Sequence, residues 1–183
     1  MVCSLGIIMY SVFNYLLVII LYFGLINISN AASGGSVKHL ESINLEITTH
    51  LGDAQTFVEG DQISFMLSLD KASFIYLFYQ DAEGNILQLV PNHKQTTHFY
   101  QPGLFIPIPD QLADFKFTVQ PPFGEEKLWA FATDTQVDSF NSTQDSEKLE
   151  LLNQPIDEIR SKIKYRAKTM YGESLLTIFV TGG

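Results

Sequence analysis

Short segments in which apolar and polar residues alternate recur through most of the chain. The clearest spans residues 62–69, where every odd position is apolar. Because successive side chains of a strand point to opposite faces, this pattern predicts strands buried on one face. Similar segments begin at Ile43 and Phe115, and turn residues at 59–61 and 81–85 separate them. Strands do not alternate with helices, which excludes a parallel doubly wound sheet.

Two further segments are apolar on both faces or nearly so. Residues 73–79 read SFIYLFY and predict a strand that is covered on both sides. Residues 127–133, KLWAFAT, predict another strand. Three prolines between residues 102 and 109 keep the strands there short or at an edge. With seven or eight strands expected, we predict a mainly β fold, an antiparallel immunoglobulin-like β-sandwich.

One late segment changes to a helical period. The apolar residues that recur at helical spacing are Ile156, Ile159, Ile163, Ala167 and Met170. Pro155 suits the first turn of a helix, and Gly172 is expected to end it. We therefore predict one C-terminal amphipathic helix over about residues 155–170, followed by a last strand over residues 174–181.

The N-terminal segment is apolar and contains no charged side chain. Residues 5–28 form one long apolar run, and no Asp, Glu, Lys or Arg occurs before residue 33. Small residues at Ser29 and Ala31 fit a cleavage site after Ala31 or Ala32. The run is also long enough to cross a bilayer as an uncleaved anchor. Both alternatives remain open, and the cleaved signal peptide is preferred.

These features predict the organisation and the location of the chain. Residues 1–32 are expected to be a signal peptide or an N-terminal membrane anchor, 33–42 a tether, and 43–183 a single β-sandwich domain. The domain is expected to be exported: periplasmic, at the cell surface or secreted. An uncleaved form would be anchored in the inner membrane and contact it through residues 5–28.

Charge and cysteine content limit the possible partners. The whole net charge of -9 falls on residues 33–183, so we expect no nucleic-acid partner, since such binding depends on neutralising phosphates. The only cysteine, Cys3, lies in the N-terminal segment. The domain is therefore expected to have no disulfide, no thiol nucleophile and no thiolate metal site.

The histidines and one acidic turn are the candidates for metal binding. The four histidines are His39, His50, His93 and His98. His93 and His98 lie in a predicted loop without the further ligands of a zinc site, so exposed loop histidines are expected. Residues 81–85 resemble the start of a calcium loop, but the glycine at its sixth position and the glutamate at its twelfth are missing. We predict a hairpin turn there, and no metal or cofactor.

A catalytic site is not expected. No Gly-x-Ser-x-Gly motif occurs, and Ser142 and Ser174 have no obvious base beside them. Because a triad can be scattered through a chain, a hydrolase that uses His93 or His98 with a carboxylate and a serine stays open as an alternative.

Two surfaces are candidates for partner docking. Five of the eleven basic residues gather in the predicted helix: Arg160, Lys162, Lys164, Arg166 and Lys168. They form either a solvated helix face or a docking face for an acidic partner or an anionic envelope surface. Phe123, in a proline-rich loop, is a second possible contact, whereas Trp129 is expected in the core.

Three segments, in their order along the chain, resemble a known family. They comprise Phe57, Glu59, Gly60 and Asp61 with the alternating Ile63, Phe65 and Leu67; residues 76–79, Asp81, Gly84 and residues 89–92; and residues 121–126 running into 128–133. Together they resemble the bacterial domain of unknown function DUF4384 over about residues 45–135. The resemblance implies a β-sandwich on exported proteins, often an accessory module, and brings no agreed catalytic residues.

The function expected from the sequence is non-enzymatic. We predict a protein-binding or assembly module of a cell-envelope or secretion complex, with other envelope proteins as its partners. A carbohydrate- or peptidoglycan-binding domain is the second hypothesis, because the chain has 14 Phe and 8 Tyr. A glycan site would need exposed aromatic rings, and the pattern places most of these inside the domain.

Overall fold

The structure is a computed structural model that describes residues 38–53, 55–138, 140 and 151–183. All of its helices and strands belong to the compact unit His39–Gly183. The predicted signal peptide or anchor lies outside the described residues, as does the first half of the predicted tether. Within the described ranges, no helix is both long and apolar enough to cross a membrane.

Thirteen strands and one helix occur in the described part of the chain. The strands are β1 Glu41–Ser42, β2 Leu45–Thr49, β3 Thr56–Val58, β4 Gln62–Ile63, β5 Phe65–Leu69, β6 Ser73–Gln80, β7 Ile86–Val90, β8 Phe99–Tyr100, β9 Gly103–Ile108, β10 Phe117–Thr118, β11 Gly124–Thr133, β12 Leu151–Leu152 and β13 Met170–Thr181. The helix, α1, spans Ile156–Arg166.

The strands form a large sheet, a three-stranded sheet and a short pair. The large sheet has the order β1-β13-β11-β6-β7-β12, with β3 also paired to β13 and β8 to β6. The three-stranded sheet is β2-β5-β9, and β4 pairs with β10. Every pairing is antiparallel except those of β1 and β3 with β13, which are parallel. The prediction of a mainly β fold with antiparallel sheets and one late helix is confirmed.

Both faces of the large sheet are covered, as predicted for residues 73–79. On one face, residues such as Leu77, Leu128 and Ala130 join the core shared with the three-stranded sheet. On the other face, Tyr76, Phe78 and Phe131 pack with Ile159 and Ile163 of α1. Complete burial of an aliphatic side chain stabilises the fold by about 1.5–3 kcal/mol, so both layers contribute substantially.

The helix is shorter than the sequence predicts. It ends at Arg166, and Met170 and Gly172 belong to β13. The Asp134 carboxylate accepts hydrogen bonds from the amides of Lys168 and Thr169 at 2.9 and 2.7 Å, which fixes an extended turn after the helix. The prediction of helix up to residue 170 and of a strand beginning only at 174 is wrong, because this side-chain acceptor is distant in sequence.

Two segments predicted to be irregular contribute to the fold. Glu41 and Ser42, at the end of the predicted tether, form β1 and pair with β13. Residues 134–148 are rich in Asp, Ser, Asn, Thr and Gln, a composition that predicts a long loop or a disordered insert. Within this loop, Val137 and Phe140 are nevertheless buried in the core beneath α1. The amide of Val137 donates a 2.6 Å hydrogen bond to the Tyr76 hydroxyl. Tertiary contacts therefore order two segments that have no strand or helix period; residues 139 and 141–148 of that loop are outside the described ranges.

Candidate functional site

The candidate site is a cavity of about 530 Å³, which we name the Glu126 cleft. Its walls come from the large sheet, from the β4-β10 pair with its flanking loop, and from Phe65 of β5. The lining residues are Ile63, Phe65, Tyr79, Asp81, Leu87, Leu89, Lys116, Phe117, Thr118, Val119, Gln120, Pro121, Pro122, Glu126, Leu151 and Ile178. Most of these side chains are apolar, which is typical of ligand pockets that use few polar groups.

Glu126 is the buried acid of this cleft. Side chains alternate along β11, so Glu126 points to the same side as Leu128 and Ala130, into the core. Only 2% of its surface is exposed, and its Oε1 atom has no hydrogen-bond partner. No ion pair among the described residues involves Glu126. The strand register therefore holds a carboxyl group without a counterion at the edge of an apolar core.

The surroundings of Glu126 shift its titration towards neutral pH. Burial raises the pKa of Glu126 to about 7, the hydrogen bond from Tyr79 opposes this shift, and the charge of Asp81 adds to it. Burial and the neighbouring Glu126 carboxyl also raise the pKa of Tyr79. The carboxyl thus changes charge close to neutral pH, while the Tyr79 hydroxyl stays protonated and available as a donor.

The two other charged groups of the cleft already have partners. Asp81 Oδ1 accepts hydrogen bonds from the amides of Glu83 and Asn85, and its Oδ2 accepts one from the Asn85 side chain. This is the hairpin turn predicted at residues 81–85, with Gly84 at a φ of 90°. At the rim, Lys116 Nζ donates to Gln62 Oε1 at 2.9 Å. Neither group neutralises Glu126.

Glu126 is not among the site residues predicted from the sequence. The predicted strand begins at residue 127, so the inward position of Glu126 is not part of that prediction. A signal was present, because extending the alternation of Leu128 and Ala130 back by two residues places an acid on the core face. Its cavity depends on strands distant in sequence and could not be predicted.

Exposed loop histidines are expected from the sequence, but one of the four histidines is buried. His39, His50 and His93 are exposed, but His98 is 7% exposed and packs between the rings of Phe74 and Tyr76, at 5.4 and 5.2 Å. Its Nδ1 lies 3.0 Å from the Thr96 carbonyl oxygen, and its Nε2 has no partner. For His98 the prediction is wrong, because the adjacent strand β8 pairs with β6 and carries the ring inward.

A second cavity, of about 470 Å³, lies beside His98 and also contacts His93 and Asp138. Its described lining residues include no serine, while Ser139 and Ser142 are outside the described ranges. The described residues include no group of three or more His, Cys, Asp or Glu side chains able to hold a metal. This cavity thus brings together His93, His98 and a carboxylate, Asp138, which are residue types that the hydrolase alternative requires.

The basic residues of α1 are divided between contacts with aromatic rings and solvent. Three cations lie over rings of the domain: Arg160 over Trp129 at 4.6 Å, Lys162 over Phe140 at 4.6 Å and Lys164 near Tyr171 at 5.5 Å. Arg160 also pairs with Asp157 and Glu173, at 2.6 and 2.7 Å. Arg166 and Lys168 are exposed at the end of the helix and just beyond it. The five residues therefore lie on α1 or just after it, in different environments.

The two aromatic candidates occupy different positions. Phe123 is 36% exposed and packs close to Gly182, whose added Cβ would lie 3.1 Å from its ring. Trp129 is half-buried beneath Arg160, and its Nε1 lies 3.4 Å from Gln80 Oε1. Trp129 is therefore part of the packing, as expected, while Phe123 remains accessible beside the turn that contains Asp81.

Comparison with known proteins identifies one family. The model of the domain of unknown function DUF4384 matches residues 56–136, which confirms the resemblance seen in the sequence. The matched segment includes Tyr79, Asp81 and Glu126. No curated protein and no solved structure matches the chain significantly.

Proposed function

We propose that this chain, whose residues 56–136 match the DUF4384 family, is a non-enzymatic binding module exported to the cell envelope. In this proposal the Glu126 cleft receives a segment of a partner protein, and the module serves in the assembly of an envelope or secretion complex. The N-terminal segment supplies the route of export, by cleavage or by anchoring in the membrane.

The unpartnered Oε1 atom of the buried Glu126 carboxyl group is the observation that carries this proposal. A buried polar atom without a partner costs about 1–3 kcal/mol, which a ligand recovers when it supplies the missing hydrogen bond. Groups held at such a cost are concentrated at functional sites, where local stability is lost for the sake of binding. The apolar walls around Glu126 add a hydrophobic contribution to the affinity for a bound side chain.

The groups near Glu126 are suited to recognition. Tyr79 is a hydroxyl donor, Asp81 is engaged by its own turn, and Lys116 bonds Gln62 at the rim. This set fixes the position of a bound polar group, and the surrounding apolar surface removes water from it. Specific catalytic turnover of a substrate by the purified chain would contradict the non-enzymatic part of the proposal.

The proposal is tested by photo-crosslinking in the native envelope. A photoreactive phenylalanine analogue is placed in the full chain at Thr118 on the rim of the cleft, and the adduct is identified by mass spectrometry. We expect a discrete adduct with an envelope protein from Thr118. The matched control is the exposed Glu46 of β2, which does not line the cleft and should give none.

A third crosslinking position separates the cleft from the basic helix. Tyr165 is 80% exposed on α1, close in sequence to Lys164 and Arg166. An adduct from Tyr165 and none from Thr118 would assign docking to the helix and reject the cleft. Adducts from neither position would contradict a protein partner at both surfaces, and retention on insoluble cell wall would then favour the glycan-binding alternative.

A further inference from the structure

We infer that the Glu126 cleft binds a primary ammonium group on an aliphatic stem, with the Glu126 carboxylate as its counterion. The assignment to a lysine side chain of a partner protein rests on the proposed function. The chemical class of the ligand follows from the charge, depth and walls of the cleft alone.

The charge of the cleft favours a cation. Glu126 has no partner in any ion pair of the described residues, and the nearby Asp81 adds a second negative charge. A buried carboxylate is stable only when a cation and hydrogen bonds compensate its lost hydration. An anionic ligand would be repelled by both acids, and a neutral donor would leave the charge uncompensated.

The depth of the cleft favours a long, narrow ligand. Its rim residues Lys116, Thr118 and Gln120 are exposed, whereas only 2% of the surface of Glu126 is exposed. A ligand must therefore reach past the rim before its polar end meets the carboxyl group. A single ammonium at the end of a flexible chain fulfils this condition, because it presents three donors in a compact head group.

The walls of the cleft favour an aliphatic stem. Phe65, Leu89 and Ile178 line the cavity and are each at most 3% exposed. They offer apolar contacts to methylene groups and no hydrogen-bonding side chain to a polar stem. An arginine would match less well, since its planar guanidinium carries five donors that need several acceptors. Among the described atoms, the unpartnered Oε1 of Glu126 is the only acceptor of the cleft shown to be buried and vacant.

Protonation provides a signature of this binding mode. Glu126 must be ionised to pair with an ammonium, and its pKa is raised to about 7 by burial, with an opposing hydrogen bond from Tyr79 and a further increase from Asp81. Lys116, the basic residue of the cleft lining, is at the exposed rim. Binding should therefore tighten as the pH rises from about 5 to about 8, where the amine stays protonated, and should release a proton near neutral pH.

The test is a titration of the full chain by nuclear magnetic resonance, followed through the side-chain carboxyl carbon of Glu126. The probes are Nα-acetyl-lysine amide and Nα-acetyl-norleucine amide. Both have a four-carbon side chain, and only the lysine probe carries an ammonium group at its end. We expect the lysine probe to bind at least about tenfold more tightly at about pH 8, and to lower the apparent pKa of Glu126.

Three variants accompany the titration. Glu126→Gln should weaken binding of the lysine probe about tenfold, to the level of norleucine, while Glu126→Asp, which keeps the charge, should retain part of the preference. Glu125→Gln is the matched control, because Glu125 is the neighbouring residue on the exposed face of β11 and pairs with Lys127. This control should bind the lysine probe like the wild type.

The outcomes distinguish this inference from the proposed function. Equal binding of the two probes, or lysine affinity in the wild type that does not change with pH, would overturn the inference without requiring any variant to fold. An adduct from Thr118 would in that case still support a protein partner. Lysine-selective binding without a Thr118 adduct would instead support the ammonium site and reject the protein partner, leaving small amines as its ligands.

Discussion

At the scale of single residues, the most consequential position is Glu126. Acidic side chains are almost never fully buried unless they are paired. Here the pleat of β11 turns the side chain inward, and no cation in the described part pairs with it. The free energy of folding therefore depends on the protonation of Glu126, and this dependence can be measured separately from ligand binding.

We predict that Glu126→Gln flattens the dependence of stability on pH. The folded pKa of about 7 lies above the ordinary value of 4.5, so the folded state holds the proton more tightly than the unfolded state. The contribution of Glu126 to the stability of the wild type is fully present below about pH 4.5 and is lost as the pH rises through about 7. At about pH 8 the variant should be more stable by roughly 2 kcal/mol in urea unfolding, and near the wild type at pH 4.5.

The control for this prediction is Glu125→Gln, because Glu125 is exposed and shares its strand with Glu126. Between pH 4.5 and 7, the free energy of unfolding of this control should change with pH as steeply as that of the wild type. An unchanged slope in Glu126→Gln would show that another group causes the dependence.

A second residue, Asp134, is predicted to stabilise the connection between α1 and β13. Its carboxylate accepts from the amides of Lys168 and Thr169 and from the Thr169 hydroxyl, at 2.9, 2.7 and 2.6 Å. Asp134→Ala should lower the free energy of unfolding by about 2 kcal/mol at neutral pH, since these hydrogen bonds involve a charged acceptor. Asp114→Ala, which removes an exposed acid 3.9 Å from Lys94, should change it by less than about 0.5 kcal/mol.

The pH dependence of the Asp134 effect should have the opposite sign to that of Glu126. Burial alone would raise the pKa of Asp134, but the hydrogen bonds from Thr169 and Lys168 outweigh it, and the pKa lies below the ordinary 3.8. Its contribution is therefore present above about pH 4 and is lost as the pH falls through the folded pKa. Urea unfolding of the wild type and of Asp134→Ala should converge in strong acid; a constant difference would contradict this account.

At the scale of elements, α1 and β13 show how packing overrides periodicity. The apolar spacing continues to Met170, yet the helix ends at Arg166 and β13 begins at Met170. Within β13, Gly172 lies against Ile43, the residue that follows β1. A Cβ atom at Gly172 would lie 2.6 Å from the Ile43 carbonyl oxygen, which no real Cβ tolerates.

We predict that Gly172→Ala destabilises the domain by about 2 kcal/mol, because the backbone of Ile43 must move away from β13. The loss should appear as a lower urea midpoint. Ser174→Ala, two residues further along the same strand, adds no Cβ and serves as the control. A Gly172→Ala variant as stable as this control would show that the edge of the sheet at β1 adapts without cost.

At the scale of the whole molecule, charge and hydropathy are separated along the sequence. The apolar segment 5–28 precedes a domain that carries the whole net charge of -9. Within that domain, the cations of α1 lie partly over aromatic rings, where cation–π contact and packing of their stems combine. A net charge of this sign is expected to disfavour binding to other polyanions.

The mature N-terminus provides the prediction at this scale. The chain isolated from the envelope should begin at Ala32 or Ser33, because Ser29 and Ala31 satisfy the small-residue rule for cleavage. Intact mass spectrometry measures this directly. A chain that starts at Met1 and stays in the membrane fraction would establish the anchored alternative, and recovery of the full chain from the cytosol would contradict export.

The sequence by itself determined the class of the fold, because local patterns report local geometry. A period of two predicted β5, and a helical period identified Ile159 and Ile163 as the buried stripe of α1. The turn at Asp81 followed from its own side chain, which bonds amides two and four residues ahead. Such features arise from interactions between residues that are close in the sequence, so a short segment is enough to predict them.

Only the tertiary structure decided the end of the helix, the burial of His98 and the Glu126 cleft. Asp134 acts on residues 168 and 169, and β6 draws His98 inward through β8. The cleft joins strands β4, β5, β6, β7, β10, β11, β12 and β13. These features depend on side chains brought together from distant parts of the chain, and the period of a single segment contains no information about that arrangement.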